Sequence, residues 1–252
     1  MNFKNLSTGR NVLLLGHNGA LATTNEFVNE SSLVFSDAGT TNLNITIGAG
    51  VIVAVASASA NDAAAGTGLR TLEIVGAKGT TGEVISEIIT MNGQTTVNSV
   101  NYYQTIYSAV GKTYGTGRAN AGIIGISLKA DPTNTAGALT APTPCLTIPV
   151  GDNLATNPIY IIPPNSRYKI KRMFSGVSTQ PVVVSLYVRP SGAGWCLLKR
   201  IPLGNAGGMW MEDDLYEFEL NSGDAIRVDA LSTTAAGRVH VTLVLEKQDY
   251  TA

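Results

Sequence analysis

The sequence is short of charge and of the residues that do chemistry. Only 14% of its 252 residues are charged, against about a quarter in an ordinary globular chain. The 17 basic and 18 acidic side chains leave a net charge of −1. A nucleic-acid binder carries a basic excess on some element, and here Lys and Arg are sparse and scattered, so no nucleic-acid partner is expected. Cysteine is limited to Cys145 and Cys196, which match no redox, zinc or haem spacing. They read as two reduced, buried thiols, with one disulfide as the alternative. Long apolar runs are also missing. Ile45–Ala60 is broken by Thr, Gly and Ser and falls short of the roughly 20 residues that span a bilayer. Val12–Leu15 is cut off by Gly16, His17 and Asn18, well below the roughly 7–15 apolar residues of a secretory signal. Neither a membrane partner nor a cleaved leader is expected.

Catalytic signatures fail in turn. His17 sits in Gly16-His17-Asn18-Gly19, which reads as a turn, and His240 lies on the polar side of a strand pattern. No Gly-x-Ser-x-Gly elbow supports a nucleophile. Gly111-Lys112-Thr113 imitates the end of a phosphate loop, but the position that needs glycine is Ile106 and no helix follows. Glu212-Asp213-Asp214 lacks the alternation of a calcium loop and reads as a solvated turn. No catalytic residue, metal ligand or cofactor site is nominated, and the chain is expected not to be an enzyme.

What is present is β-forming. The 27 glycines, equally frequent threonine and abundant Asn, with little Glu and Lys, disfavour helices and favour short strands joined by tight turns. Apolar residues alternate with polar ones over 167–174, 182–188, 216–220, 226–230 and 239–245. That period of two places one set against a core and the other towards solvent or a neighbour. In the first half, Leu72–Val75, Glu83–Met91, Thr95–Val100, Tyr102–Ala109 and Ile123–Leu128 read as strands, with Asn92-Gly93 a hairpin turn. Ile47–Ala60 fits either a strand followed by a loop or a short Ala-rich helix. The expected fold is all-β: two antiparallel β-sandwich, jelly-roll-like domains in tandem with an extended N-terminal arm. The arm spans 1–22, the first sandwich 23–130, a Pro/Gly-rich linker 131–149 and the second sandwich 150–252.

Two apolar clusters stand out against this background. Met209-Trp210-Met211, beside Gly207 and Gly208, reads as a loop carrying an aromatic anchor for a partner. Its alternative is a loop folded back over the end of its own sandwich. Leu13, Leu14 and Leu15 give the N-terminal arm an apolar tip that orders on assembly. Trp195, Trp210 and Tyr216 also form a possible stacking platform for sugars.

Two longer segments are similar to known proteins. Arg70–Gly76, with Glu83–Gly93 and Thr95-Thr96-Val97, resembles a pattern in structural proteins of tailed bacteriophages, particularly from aquatic hosts. Ile161–Asn165, Tyr168–Arg172, Tyr187–Pro190 and Val239–Glu246 resemble the β-sandwich domains that accompany it. The resemblance implies a virion component assembled in the bacterial host cytoplasm. The leading expectation is a capsid cement (decoration) protein that bridges capsomers, with the major capsid protein and further copies of itself as partners, as a homotrimer. The alternative is a tail, baseplate or fibre protein that touches host glycans.

Overall fold

The computed structural model describes residues 10–21, 26–27, 50–128, 133–141, 145–157, 159–177, 181–204, 209–213, 218–232 and 237–248. The described chain is all-β. In chain order the strands are β1 (Arg10–Leu21), β2 (Glu26–Phe27), β3 (Val51–Ser57), β4 (Leu69–Lys78), β5 (Val84–Thr90), β6 (Val97–Tyr114), β7 (Ile124–Ser127), β8 (Thr133–Thr135), β9 (Ala138–Ala141), β10 (Leu146–Ile148), β11 (Leu154–Thr156), β12 (Ile159–Ile161), β13 (Arg167–Val177), β14 (Val182–Arg189), β15 (Cys196–Leu203), β16 (Met209–Asp213), β17 (Glu219–Leu220), β18 (Ala225–Ser232) and β19 (Gly237–Gln248). Every pairing between them is antiparallel. No helix among the described residues is long and apolar enough to cross a membrane.

The chain folds into two units, one of Phe35–Asn157 and one of Met1–Val34 together with Pro158–Ala252. The middle unit holds a seven-stranded sheet in the order β10-β7-β3-β6-β4-β5, with β11 also on β6. The ambiguous Ile47–Ala60 stretch resolves as strand β3. It sits between β6 and β7, and Val53–Ser57 is buried on both faces. Small residues tolerate that position because a central strand needs ladder hydrogen bonds and a close fit more than helix propensity.

The two strands expected at 95–100 and 102–109 are one continuous β6. No Gly or Pro separates them. Instead Glu87 on β5 accepts hydrogen bonds from the backbone N–H groups of Val100 (2.7 Å) and Asn101 (3.0 Å) and from the Asn101 side-chain amide (2.9 Å). β6 bends through register shifts against β3 and β4, the usual effect of β-bulges. The bend lets its first half pair with β3 and its second half with β4 and β11.

The expected linker is also corrected. Within 131–149, β8 and β9 form a hairpin whose central residues Ala136 and Gly137 both have positive φ, the backbone a tight hairpin needs. The Gln94 amide donates to the carbonyls of Ala58 (3.0 Å) and Ala136 (3.1 Å), and the Asn134 amide donates to Gln94 O (3.1 Å) and Thr96 Oγ1 (3.0 Å). β10 then pairs with β7. Aperiodic sequence therefore belongs to a folded unit, because side-chain amides supply the order that hydrophobic periodicity lacks.

In the other unit two five-stranded sheets carry the core. One runs β1-β19-β13-β16, with β17 also on β13; the other runs β12-β18-β14-β15, with β2 on β18. Their inward rows follow the alternation except in β13, where a register shift between Ile170 and Arg172 passes the inward row from Ile170 to Met173 and leaves Phe174, expected inward with Ile170, half-buried. Ile170, Met173, Val241, Leu243 and Leu245 are buried in the first sheet, and Val182, Val184, Leu186, Val188, Ile226 and Val228 in the second. The N-terminal segment differs from expectation. Arg10–Leu21 is not an arm outside the fold but an edge strand of the first sheet, and the turn expected at Gly16–Gly19 lies inside it. Pairing with β19 satisfies one side of that backbone.

Candidate interface

The two apolar segments singled out in the sequence lie on opposite edges of one sheet. Met209–Met211 is not a loop. It opens β16, which pairs with β13 so that Met209 lies opposite Gly176, Trp210 opposite Ser175 and Met211 opposite Phe174. Directly paired residues share a face. Ser175 is buried, so Trp210 belongs to the inward row, and its half-buried ring has the Lys199 ammonium 5.9 Å from its centroid. Met211 belongs to the outward row and is 60% exposed, beside half-buried Phe174. Of the expected anchor, then, Trp210 turns to its own sandwich and Met211 is the residue presented outward. The strand forms where Phe174, Ser175 and Gly176 are already extended beside it.

On the other edge, β1 pairs with β19 so that Leu13 lies opposite Leu243, Leu15 opposite Val241 and Leu14 opposite Thr242. Leu243 and Val241 belong to the buried row, and Thr242 lies on the outward one. The sequence suggested three leucines acting together. In β1 their register positions differ, two of them opposite the buried row and one opposite Thr242.

A second constellation was not foreseen. Arg227 and Asp229, read as the solvent-facing alternates of their strand, are each only 6% exposed. Arg227 Nε lies 3.0 Å from Asp229 Oδ1, and Nη2 donates to Oδ2 at 3.1 Å. The guanidinium lies 4.6 Å from the Tyr187 ring centroid and 4.7 Å from that of Trp195, with Arg189 5.8 Å from the same indole. The strand register sets this up, since Tyr187 on β14 lies directly opposite Arg227 on β18. An Arg-x-Asp pair on a strand with an aromatic across from it was the available signal. The arrangement neutralises a buried cation with a carboxylate and π faces. It also bears on the sugar platform. Trp195 and Trp210 each have a cation of their own chain over the ring, and Tyr216 lies outside the described residues.

In the middle unit the buried polar centre is Asp62, fully shielded from solvent. Oδ1 accepts the N–H groups of Leu69 (2.7 Å) and Ala121 (2.8 Å), and Oδ2 accepts Gly122 N–H (2.9 Å) and Ser57 Oγ–H (2.5 Å). This carboxylate ties the end of β3 and the start of β4 to the Ala121-Gly122 loop and leaves no acceptor free for a substrate.

The remaining candidates are placed as follows. His17 lies on β1 opposite Val239, and His240 on β19 opposite Gly176 and Gly16. Glu212 and Asp213 lie on β16 instead of in a turn, and Asp214 is outside the described residues. Among the described residues no three His, Cys, Asp or Glu side chains gather. Both cysteines are free. Cys145 is buried, and burial pushes its thiol up to about 12. Cys196 is exposed, which corrects the expectation of two buried thiols: its strand β15 is a sheet edge.

No family model matches the chain, and no curated protein matches it. Among solved structures, the chain is similar to one in a structure of infectious bursal disease virus Gx strain, at 10% identity and TM-score 0.23 over 100% of this chain and 69% of that one. It is also similar to one in an infectious bursal disease virus VP2 subviral particle, at 8% identity and TM-score 0.17 over 94% and 71%. At these scores the likeness carries no argument, and the fold class rests on the strands themselves.

Proposed function

We propose that this chain is a structural component of a virion, and within it a capsid cement protein that bridges capsomers as a homo-oligomer, a trimer at threefold points. The observation that supports the reading is the sheet β1-β19-β13-β16. Among the described residues both of its edges lack a strand partner, one bears the exposed Met211, and both carry a short apolar run in a chain with little charge. Free strand edges invite further strands, and an exposed apolar margin suits permanent burial against neighbours. The work is mechanical: contact area between subunits resists expansion of the shell. The major capsid protein and copies of the same chain are the partners, and no cofactor, nucleic acid or membrane enters the reading.

The test is quantitative proteomics on purified particles of the virus encoding the chain, together with extraction by mild denaturant. Many copies per particle, released while heads stay closed, are the expected result. A handful confined to tails overturns the cement role in favour of a host-contacting appendage. Absence from particles overturns the virion reading.

A further inference from the structure

We infer that copies of this chain join head to tail by strand addition: β16 of one copy pairs antiparallel with β1 of the next, with Asp213 opposite Arg10, Met211 opposite Val12 and Met209 opposite Leu14. The inference starts from the register. Three rows cross the sheet: Asp213-Arg172-Val244-Val12, Met211-Phe174-Thr242-Leu14 and Met209-Gly176-His240-Gly16. Residues in a row share a face, and successive pairs along it alternate between hydrogen-bonded and non-hydrogen-bonded types. Four strands mean three gaps, so both ends of a row are of the same type. Where β16 leaves outward-pointing N–H and C=O groups, β1 leaves them too.

Strand sense agrees as well. β16 opposes β13, β13 opposes β19 and β19 opposes β1, so β16 runs against β1 and a neighbour's β1 continues the antiparallel order. Face and hydrogen-bond type together allow only registers that join 209, 211 and 213 to positions among 10, 12, 14 and 16. A slip by one residue fails on both counts.

Charge selects among those that remain. Arg10 is the one charged residue of β1, leaving histidine aside, and β16 ends on Glu212-Asp213. Setting Asp213 opposite Arg10 brings the acidic pair to the basic end and lays Met209-Trp210-Met211 along Val12-Leu13-Leu14. Arg10 already lies opposite Glu246 of its own sheet, so it becomes bracketed by acids. Self-pairing of two β16 strands about Met211 would instead set Asp213 opposite Met209 and Glu212 opposite Trp210, wasting the charges. The contact is therefore heterologous, the kind that closes into a ring or runs on as a filament.

The inference uses the same edges as the cement reading, but its test needs only the purified full chain, so failure to bind particles leaves it standing. In a Cys196→Ser background, Val12→Cys copies are mixed with Met211→Cys copies and oxidised. The mixed pair is expected to cross-link, while Leu13→Cys with Met211→Cys, the one-residue slip, cross-links about tenfold less. Cross-linking of Met211→Cys copies among themselves, equal to or above the mixed pair, overturns the head-to-tail geometry. In sedimentation equilibrium, Arg10→Glu and Asp213→Arg each weaken self-association by about tenfold or more, and the double reversal restores it. A chain that stays monomeric and cross-links in no combination overturns the inference, as does a double reversal without rescue. Should a charge reversal unfold the sheet, the cysteine pairs decide.

Discussion

Removing the Asp62 carboxylate tests how the middle unit is held. In Asp62→Ala the N–H groups of Leu69, Ala121 and Gly122 and the hydroxyl of Ser57 lose their acceptor at once. The site is fully buried, and each orphaned buried donor costs about 1–3 kcal/mol. Allowing for water entering the space, the loss is about 4 kcal/mol, a large share of a domain's usual ~5–15 kcal/mol. Asp62→Asn separates the contributions. Its amide oxygen still serves Leu69 and Ala121, and Ser57 can rotate to accept from the new NH₂, but Gly122 N–H then faces a donor. Its cost is about half as large.

The assay exploits an accident of composition. Both tryptophans, Trp195 and Trp210, lie in the other unit, so indole fluorescence follows that unit while far-UV circular dichroism follows both. Thermal scans of Asp62→Ala should show the dichroism transition lowered by about 12–16 °C with the fluorescence transition nearly unmoved. A loss below about 1 kcal/mol would refute the reasoning. So would a fall confined to the fluorescence transition.

Other changes follow from the same geometry. Arg227→Ala takes the guanidinium away from the buried Asp229 carboxylate and should cost about 3–5 kcal/mol in denaturant unfolding followed by tryptophan fluorescence, while Arg227→Met with Asp229→Leu recovers most of it; equal losses for both variants would show that the pair is not the reason. Gly76→Ala places a methyl group 2.3 Å from the Thr105 carbonyl oxygen and 2.8 Å from the Tyr103 ring, so it should destabilise the middle unit by about 1–3 kcal/mol, and an unchanged melting temperature contradicts that packing. A thiol reagent at neutral pH should label one cysteine per native chain, Cys196, and the second only after unfolding; immediate labelling of both would contradict the burial of Cys145. Because the Cys145 thiol is raised from its ordinary 9.0 to about 12 in the folded chain, its contribution to stability is complete below pH 9 and is lost as pH rises towards 12. Cys145→Ala should remove that part of the alkaline loss, read from unfolding midpoints across the range.

How much of this was legible in the sequence varies with the kind of signal. The strands over 182–188 and 239–245 were visible because each has one face in a core and one more open, which writes a period of two into the residues; 226–230 shows the same period although both faces are buried, because its polar alternates are the paired Arg227 and Asp229. Val51–Ser57 was not decided, since a strand buried on both faces writes no period at all. The hairpin at 133–141 was hidden for the opposite reason: its order comes from amide hydrogen bonds that join Asn134 and Ala136 within it to Thr96 and Gln94, 38 and 42 positions away in sequence, which only folding brings near. Of the candidate interface, the composition of Met209–Met211 and Leu13–Leu15 flagged the segments, yet not the strand pairing that leaves Met211 exposed and Trp210 half-buried.

The amino-acid sequence by itself determined that this chain makes strands and turns, which local propensity and the pleat dictate residue by residue. It also determined that chemistry is sparse, because the chemical side chains are few. Only the tertiary structure decided that the first described strand pairs with the last, that Arg227 is enclosed by Tyr187, Trp195 and Asp229, and that two distant apolar segments become the two margins of one sheet. Those are pairings between residues far apart along the chain, set by which backbone edge finds which partner, and no local pattern encodes that choice.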